Sequence, residues 1–343
     1  MGFDSLSDIA GADSVNILVV RTDRIGDVVL STPVLASLRA SRPNWKISIL
    51  ARPAVAPLLQ GHPDVDSVIT LETDDKPSFS NTRGLSDRLR KADFDIAVHL
   101  YSDFWISLAV WRASVGQRIG PASKLARIFY NHAIVQHRSI GGRHEADHNL
   151  DLLKPLGIPP IRRSKVSVAE TIPADAGKLL DNQKKNIGIF PAMGGSARNW
   201  KPEKYARLAE LLSDDGLHVI LMCGPGEEKL LDDVQSFTSK TPPRYVADRL
   251  DELAVFVKAL DCFVAPSTGP LHIASAVGTP AVGIYCPIKV CLPERWGPIG
   301  EMDKSFVPDV PVCERCTAER CERYDCMDSL EIGPVAGAVM ERI

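Results

Sequence analysis

The chain has 343 residues, 45% of them hydrophobic and 24% charged, with a formal net charge of −3. This is the composition of a globular protein long enough for two domains of ordinary size, not of a disordered or fibrous chain. The slight acidic balance excludes a general nucleic-acid binder, so any basic site must be local.

Met1–Asp13 carries no basic residue and no long apolar core, so no secretory leader is read there. Phe104–Trp111, the longest strongly apolar stretch weighed as a membrane segment, is too short to span a bilayer. A cytoplasmic location is expected, with the eight cysteines reduced, buried or metal-bound. Asn16-Ile17-Leu18-Val19-Val20 reads as a buried strand, followed by Arg21-Thr22-Asp23-Arg24-Ile25-Gly26-Asp27 and a helical pattern from Val28 to about Ala40. Trp45–Ala51, Val65–Leu71 and Asp95–Leu100 are further strands, with helical stretches between them. This alternation predicts a parallel sheet covered on both faces, with ligands at the strand ends. Helix Glu145–Leu156 ends at Gly157, and the basic segment Ile161–Lys165 is a linker. A second series begins at Asn186-Ile187-Gly188-Ile189-Phe190 and continues with helix Pro202–Asp214, strand His218–Cys223, helix Asp251–Leu260 and the apolar run Cys262–Ala265. The fold class is α/β: two facing Rossmann-like halves with parallel sheets.

Three turns of the second half carry groups suited to a nucleotide diphosphate. After Pro266, Ser267-Thr268-Gly269 makes a polar turn into a small-residue helix with His272 in it. Its free amides and dipole favour an anion, although most such turns bind nothing. Gly194, Gly195 and Ser196 can bring backbone amides against phosphate, and Arg198 adds a permanent charge. Glu227 or Glu228, after Gly224-Pro225-Gly226, can accept hydrogen bonds from ribose hydroxyls. In the first half Asp27 is either a simple N-cap or a base stabilised at a helix start, with Asp23 a rival on the same loop.

Phe104–His144 holds Arg112, Arg118, Lys124, Arg127, Arg138 and Arg143 and no Asp or Glu. That is a local positive field suited to an anionic substrate, or else a solvated helix face. Arg24, Arg112, Arg118, Lys124 and Arg143 are the candidate acceptor contacts. Trp105 and Trp111 either touch a lipid surface or pack on a sheet. Cys313, Cys316, Cys321 and Cys326 have the spacing of a structural zinc or iron–sulfur site, or are free thiols.

Together R-T-D-R-I-G-D-V-V-L-S-T-P at 21–33, F-P-A-M-G-G-S-A-R-N-W-K-P at 190–202 and S-T-G-P-L-H-I-A-S-A-V-G-T-P at 267–280 make the sequence resemble glycosyltransferase family 9, the ADP-heptose:lipopolysaccharide heptosyltransferases. The resemblance runs from Ile17 to the C-terminal helix. It implies a GT-B fold, with an acceptor-binding domain over residues 1–165 and a nucleotide-sugar-binding domain over 166–343. It also implies that the last helix, from about Ser329, crosses back to the first domain. The family's catalytic aspartate falls on Asp27, its phosphate-binding cation (usually lysine) on Arg198, and its ribose-binding acid on Glu227/Glu228. Ser267 stands where the family usually has Asp. The implied activity is inverting transfer of heptose from ADP-heptose to an anionic glycolipid acceptor, the lipopolysaccharide inner core. It requires no cofactor or metal, and contact with the inner membrane would be peripheral. The alternatives are a transferase with another nucleotide sugar or a protein acceptor, and a non-catalytic glycan-binding relative.

Overall fold

A computed structural model describes residues 5–73, 78–138, 140–195, 197–316, 321–323 and 325–343. The chain divides into two compact units, one of Met1–Ser139 with Glu145–Ser167 and the other of Ile140–His144 with Val168–Ile343. The division falls two residues beyond the expected 165/166 boundary, and a short piece of the basic region, Arg143 included, belongs to the second unit.

The first unit is built on β1 (Asn16–Val20), β2 (Lys46–Ala51), β3 (Ser67–Thr70), β4 (Ile96–His99), β5 (Gln117–Pro121) and β6 (His132–Ile134). All pair in parallel in the order β3-β2-β1-β4-β5-β6. Ile17, Leu18, Val19 and Val20 are all buried, as a strand covered on both faces requires. The second unit repeats the plan with β7 (Asn186–Ile189), β8 (His218–Cys223), β9 (Arg244–Val246), β10 (Cys262–Pro266), β11 (Ala281–Ile284) and β12 (Lys304–Phe306), in the order β12-β11-β10-β7-β8-β9. In both sheets the connections reverse direction between the first and fourth strands, at β1/β4 and β7/β10. These are the switch points at which doubly wound sheets take ligands. A matched device pins each one. The Asp95 carboxylate accepts the Asn16 amide N–H at 2.8 Å, and the Asp261 carboxylate accepts that of Asn186 at 2.8 Å.

The single helix expected over 28–40 is two, Ile25–Val29 and Thr32–Ser41. Pro33 supplies no N–H, and the hydroxyls of Ser31 and Thr32 donate back to the carbonyls of Val28 and Val29, so the chain restarts there. The last helix, Ile332–Met340, belongs to the second unit. Val335, Ala336, Ala338 and Val339 lie in the hydrophobic core of the second unit, beside residues of helix Pro202–Asp214 and β11. Lys201 pairs with Asp328 at 2.6 Å, and Lys204 donates to the carbonyls of Asp328 and Leu330, holding the approach to that helix. Its buried face is therefore part of the second unit's own core. Among the described residues no helix is long and apolar enough to cross a membrane.

Candidate functional site

At the first unit's switch point the loop after β1 delivers Arg21, which is 1% exposed and surrounded by carboxylates. Its guanidinium reaches Asp23 at 2.7 Å, Asp27 at 2.6 Å and Glu145 at 3.5 Å, and donates to Asn149 at 2.9 Å and the Leu100 carbonyl at 3.3 Å. Arg138, just beyond β6, pairs with Glu145 and donates to Asn149. Glu145 and Asn149 lie four apart on helix Glu145–Asp151, so both project from one face. Burial opposes the charge on Arg21, but Asp23, Asp27 and Glu145 outweigh it and hold the guanidinium protonated above its usual range. Burial pushes the Asp27 carboxyl up to about 7. Arg21 pulls it down, and Asp23 and Glu145 push it up again.

Asp27 lies in the first turn of helix Ile25–Val29, whose N-cap is Arg24. The hydrogen bond its carboxylate accepts comes from Arg21 rather than from a backbone amide, so it does not act as the cap. A partly exposed carboxylate titrating near neutrality, held in place by a permanent cation, can accept a proton from an alcohol.

Of the candidate acceptor contacts, Arg24 is exposed beside this loop. Lys124 follows β5, and its Nζ lies 4.5 Å from the ring centroid of Tyr101, which follows β4, so both stand at the strand-end side of the sheet. Arg112 and Arg118 are elsewhere. Helix Phe104–Arg112 runs back from the end of β4, and Arg118 is level with Ala97 near the start of the strands. Arg118 also ties down the carbonyls of Phe129, Val115 and Gly116. In a parallel sheet this places both towards the other end of the strands from the loop that carries Asp27. Arg143 is exposed on the segment that belongs to the second unit. Arg21, Glu145, Asn149 and Arg138 escape a reading by motif because the partners lie up to 128 residues apart. The available signal was an arginine placed directly after a fully apolar strand.

In the second unit the loops after β7 and β10 flank the switch point. Asn199 braces the first by donating to the Pro191 carbonyl at 2.7 Å while accepting from Trp200 N–H and Tyr205 O–H. Gly195 has φ +67°, a left-handed turn that suits glycine, and Gly194 and Gly195 are both exposed. Ser196 lies outside the described residues. The Arg198 amide donates to the sulfur of Cys286, which also accepts from the Cys291 thiol. That thiol–thiol bond draws Cys286 down to about 6 and pushes Cys291 up.

Helix Gly269–Val277 has Thr268 at its N-cap, yet no hydrogen bond from the first turn to the Thr268 side chain is formed. Its amides are left to an anion or to solvent. Ser267 is bonded to the buried Tyr285 hydroxyl. His272 is 4% exposed with Nδ1 unpartnered, and burial, with His144 adding to it, holds the ring down to about 3, so it is neutral near pH 7. After β8 the Glu227 carboxylate is occupied in closing its own turn, accepting the Gly224 N–H at 2.9 Å, while Glu228 is exposed.

The four-cysteine metal site is not supported. Among the described residues no group of three or more His, Cys, Asp and Glu side chains is arranged to hold an ion. The Cys313 thiol instead donates to the Pro287 carbonyl at 3.4 Å, and Cys313 and Cys326 pack against the apolar core.

The sequence model described as glycosyltransferase family 9 (heptosyltransferase) matches residues 82–324. A Haemophilus influenzae protein named "Putative glycosyltransferase" is 30% identical over 85% of this chain and 89% of its own. Lipopolysaccharide heptosyltransferase 3 of Escherichia coli K12 is 25% identical over 76% of this chain and 79% of its own. Among solved structures, the E. coli ADP-heptose lipopolysaccharide heptosyltransferase II superposes with a TM-score of 0.77 over 95% of this chain and 98% of that one, at 20% identity, which supports the GT-B class of fold. With the family model covering well over half of the chain, and a relative at this identity along most of its length, the protein belongs to glycosyltransferase family 9 and is a glycosyltransferase.

Proposed function

We propose that the chain transfers a heptose from ADP-heptose to a sugar of the lipopolysaccharide inner core, with inversion at the anomeric carbon, on the cytoplasmic side of the inner membrane. The observation that carries the chemistry is Asp27, poised near neutrality at 2.6 Å from a buried arginine. The donor and acceptor are taken from the names of the relatives, which act on this class of substrate. Asp27 takes the proton of the acceptor hydroxyl, whose oxygen forms the new glycosidic bond as the bond to the diphosphate breaks. The leaving ADP keeps the electron pair. Arg198, the Gly194 and Gly195 amides and the helix start at Thr268–Gly269 balance its charge, with neutral His272 at the same edge. Glu228 is the freer of the two acids for the ribose, since Glu227 closes its own turn. These fixed charges and dipoles can do this without a metal or other cofactor. Lys124 and Arg24 face the anionic acceptor. Ser267, bonded to Tyr285, leaves the first-turn amides rather than a carboxylate to meet the donor.

The test is a transfer assay with ADP-heptose and deacylated lipopolysaccharide core, with the product's linkage and anomeric configuration determined and UDP-sugars run alongside. Inverted heptosyl product from the ADP-sugar alone is the expected result. Tight donor binding without product would identify a binding relative, and product from a UDP-sugar would overturn the donor assignment.

A further inference from the structure

Outside the site, the first unit carries a continuous aromatic ridge on helices Phe79–Ala92 and Phe104–Arg112 and the short 3-10 turn Leu125–Phe129. Ring contacts run Phe79–Trp105 at 5.9 Å, Trp105–Phe104 at 5.1 Å, Phe104–Phe129 at 5.2 Å and Phe129–Trp111 at 6.0 Å. The inner faces of both helices are consumed by the core, through Leu85, Leu89, Ile106, Ala109 and Val110. Phe79, Trp111, Leu125 and Ile128 are left 68%, 51%, 69% and 63% exposed. So large an exposed apolar cluster needs a reason.

Among the described residues the charge around it is mainly positive, the exceptions being Asp87, Glu72 beside Trp105, and Asp103, which caps helix Phe104–Arg112. Between Phe104 and His144 there is no acidic residue, and Arg112, Lys124 and Arg127 all reach solvent. Arg83, Arg90 and Arg112 line a surface groove of about 490 Å³ that opens beside Phe79. Its one carboxylate, Asp87, is already paired with Arg90 at 2.8 Å. A second copy of this chain laid on the patch would bring like charges together, whereas an interface core is depleted of charge. Aromatics and aliphatics set level with a cationic rim are the chemistry of a protein lying on an anionic bilayer. The rings enter the headgroup–acyl boundary, and the guanidiniums take lipid phosphates.

We propose that the outer face formed by Phe79, Trp111, Leu125 and Ile128, rimmed by Arg83, Arg112 and Arg127, is a docking surface for an anionic phospholipid membrane. It stands on these contacts and charges alone and does not require the transfer reaction proposed above.

The experiment is co-sedimentation of the full chain with vesicles of phosphatidylglycerol and phosphatidylethanolamine, and with neutral phosphatidylcholine vesicles. Wild-type protein is expected to bind the anionic vesicles at least tenfold more tightly, less so at high salt. Arg83→Gln and Arg127→Gln should each weaken binding about fivefold, the equivalent of about 1 kcal/mol per cation at the surface. Ile128→Asp combined with Trp111→Ser should abolish it, with the thermal midpoint and transfer to deacylated acceptor unchanged. Failure of wild type to bind, or binding by these variants equal to wild type, overturns the proposal. A wild-type dimer in lipid-free gel filtration that Ile128→Asp dissociates would assign the face to a second copy instead. Absence of transfer activity with vesicle binding intact would sink only the reaction, not the surface.

Discussion

Asp27→Asn removes the base and keeps the contact. Asparagine is nearly the same shape as aspartate, and its amide oxygen can still accept from Arg21, so the fold is kept. What is lost is the proton acceptor, and removal of a general base costs about 10²–10⁴ in rate. The wild-type pH profile gives an independent reading. With the carboxyl at about 7, roughly one Asp27 in eleven is ionised at pH 6 and ten in eleven at pH 8. kcat/KM should therefore rise about tenfold across those two units and level off above them. Stability moves in the opposite sense. Between the ordinary carboxyl range and about 7, the folded chain holds a proton that the unfolded chain has released, so wild-type stability falls as pH rises through that window. At about 1.4 kcal/mol per unit, the fall is up to ~4 kcal/mol, an upper bound for a side chain that is 16% exposed. Asparagine has no proton to lose, so its denaturation midpoint should be flatter with pH and at or above wild type at pH 8. Steady-state transfer assays between pH 5.5 and 8.5, with urea titrations of both proteins, measure all of this. Undiminished turnover in Asp27→Asn, or a flat wild-type profile from pH 6 to 8, would refute the assignment.

Arg198→Ala should raise the donor KM and lower kcat, together costing about 10- to 100-fold in kcat/KM, since hydrogen bonds to charged groups are worth about 1.5–3 kcal/mol. Isothermal titration with ADP isolates the binding part. Gly195→Val forces a branched side chain to φ +67° where no atom lies within 4 Å of the new Cβ. The cost of about 1–2 kcal/mol is then backbone strain in the loop, expected as weaker ADP binding with little change in melting temperature. His99 ends β4 fully buried beside Tyr130, with neither ring nitrogen hydrogen-bonded, and burial and Arg118 hold it down to about 3. The unfolded chain takes up that proton from about pH 6.5 downward, so His99 lowers stability as pH falls. Leucine there should raise the urea midpoint at pH 7.5 and raise it more at pH 5.

The parallel architecture was legible because both sheets are buried on two faces. Strands such as Ile17–Val20 and Cys262–Ala265 read as unbroken apolar runs, and helix Pro202–Asp214 was read to the residue because Pro202 marks its start. Short edge strands such as His132–Ile134 and Arg244–Val246 were not legible. At three residues each, with mixed burial, they carry no periodicity above that of a loop. The loops after β1, β7 and β10 were visible as motifs, but not the burial that lifts the Asp27 carboxyl to about 7. Glu145, which adds to that rise and with Asn149 seals Arg21 in place, arrives from far along the chain.

The basic region shows what composition does and does not convey about place. Six cations without an acid between 104 and 144 read as one field aimed at one substrate. The fold disperses them instead, because a helix and a strand each carry the chain across the full height of the sheet. Lys124 comes out at the strand-end edge beside Tyr101, and Arg138 is drawn into Glu145. Arg118 is spent on backbone carbonyls at the opposite edge, and Arg112 is left on the outer face next to Trp111. A run of like charge in an α/β chain therefore serves as many ends as the sheet has. Only the fold tells which cation stands at the strand ends, where the loop with Asp27 also lies, and which stands away from them.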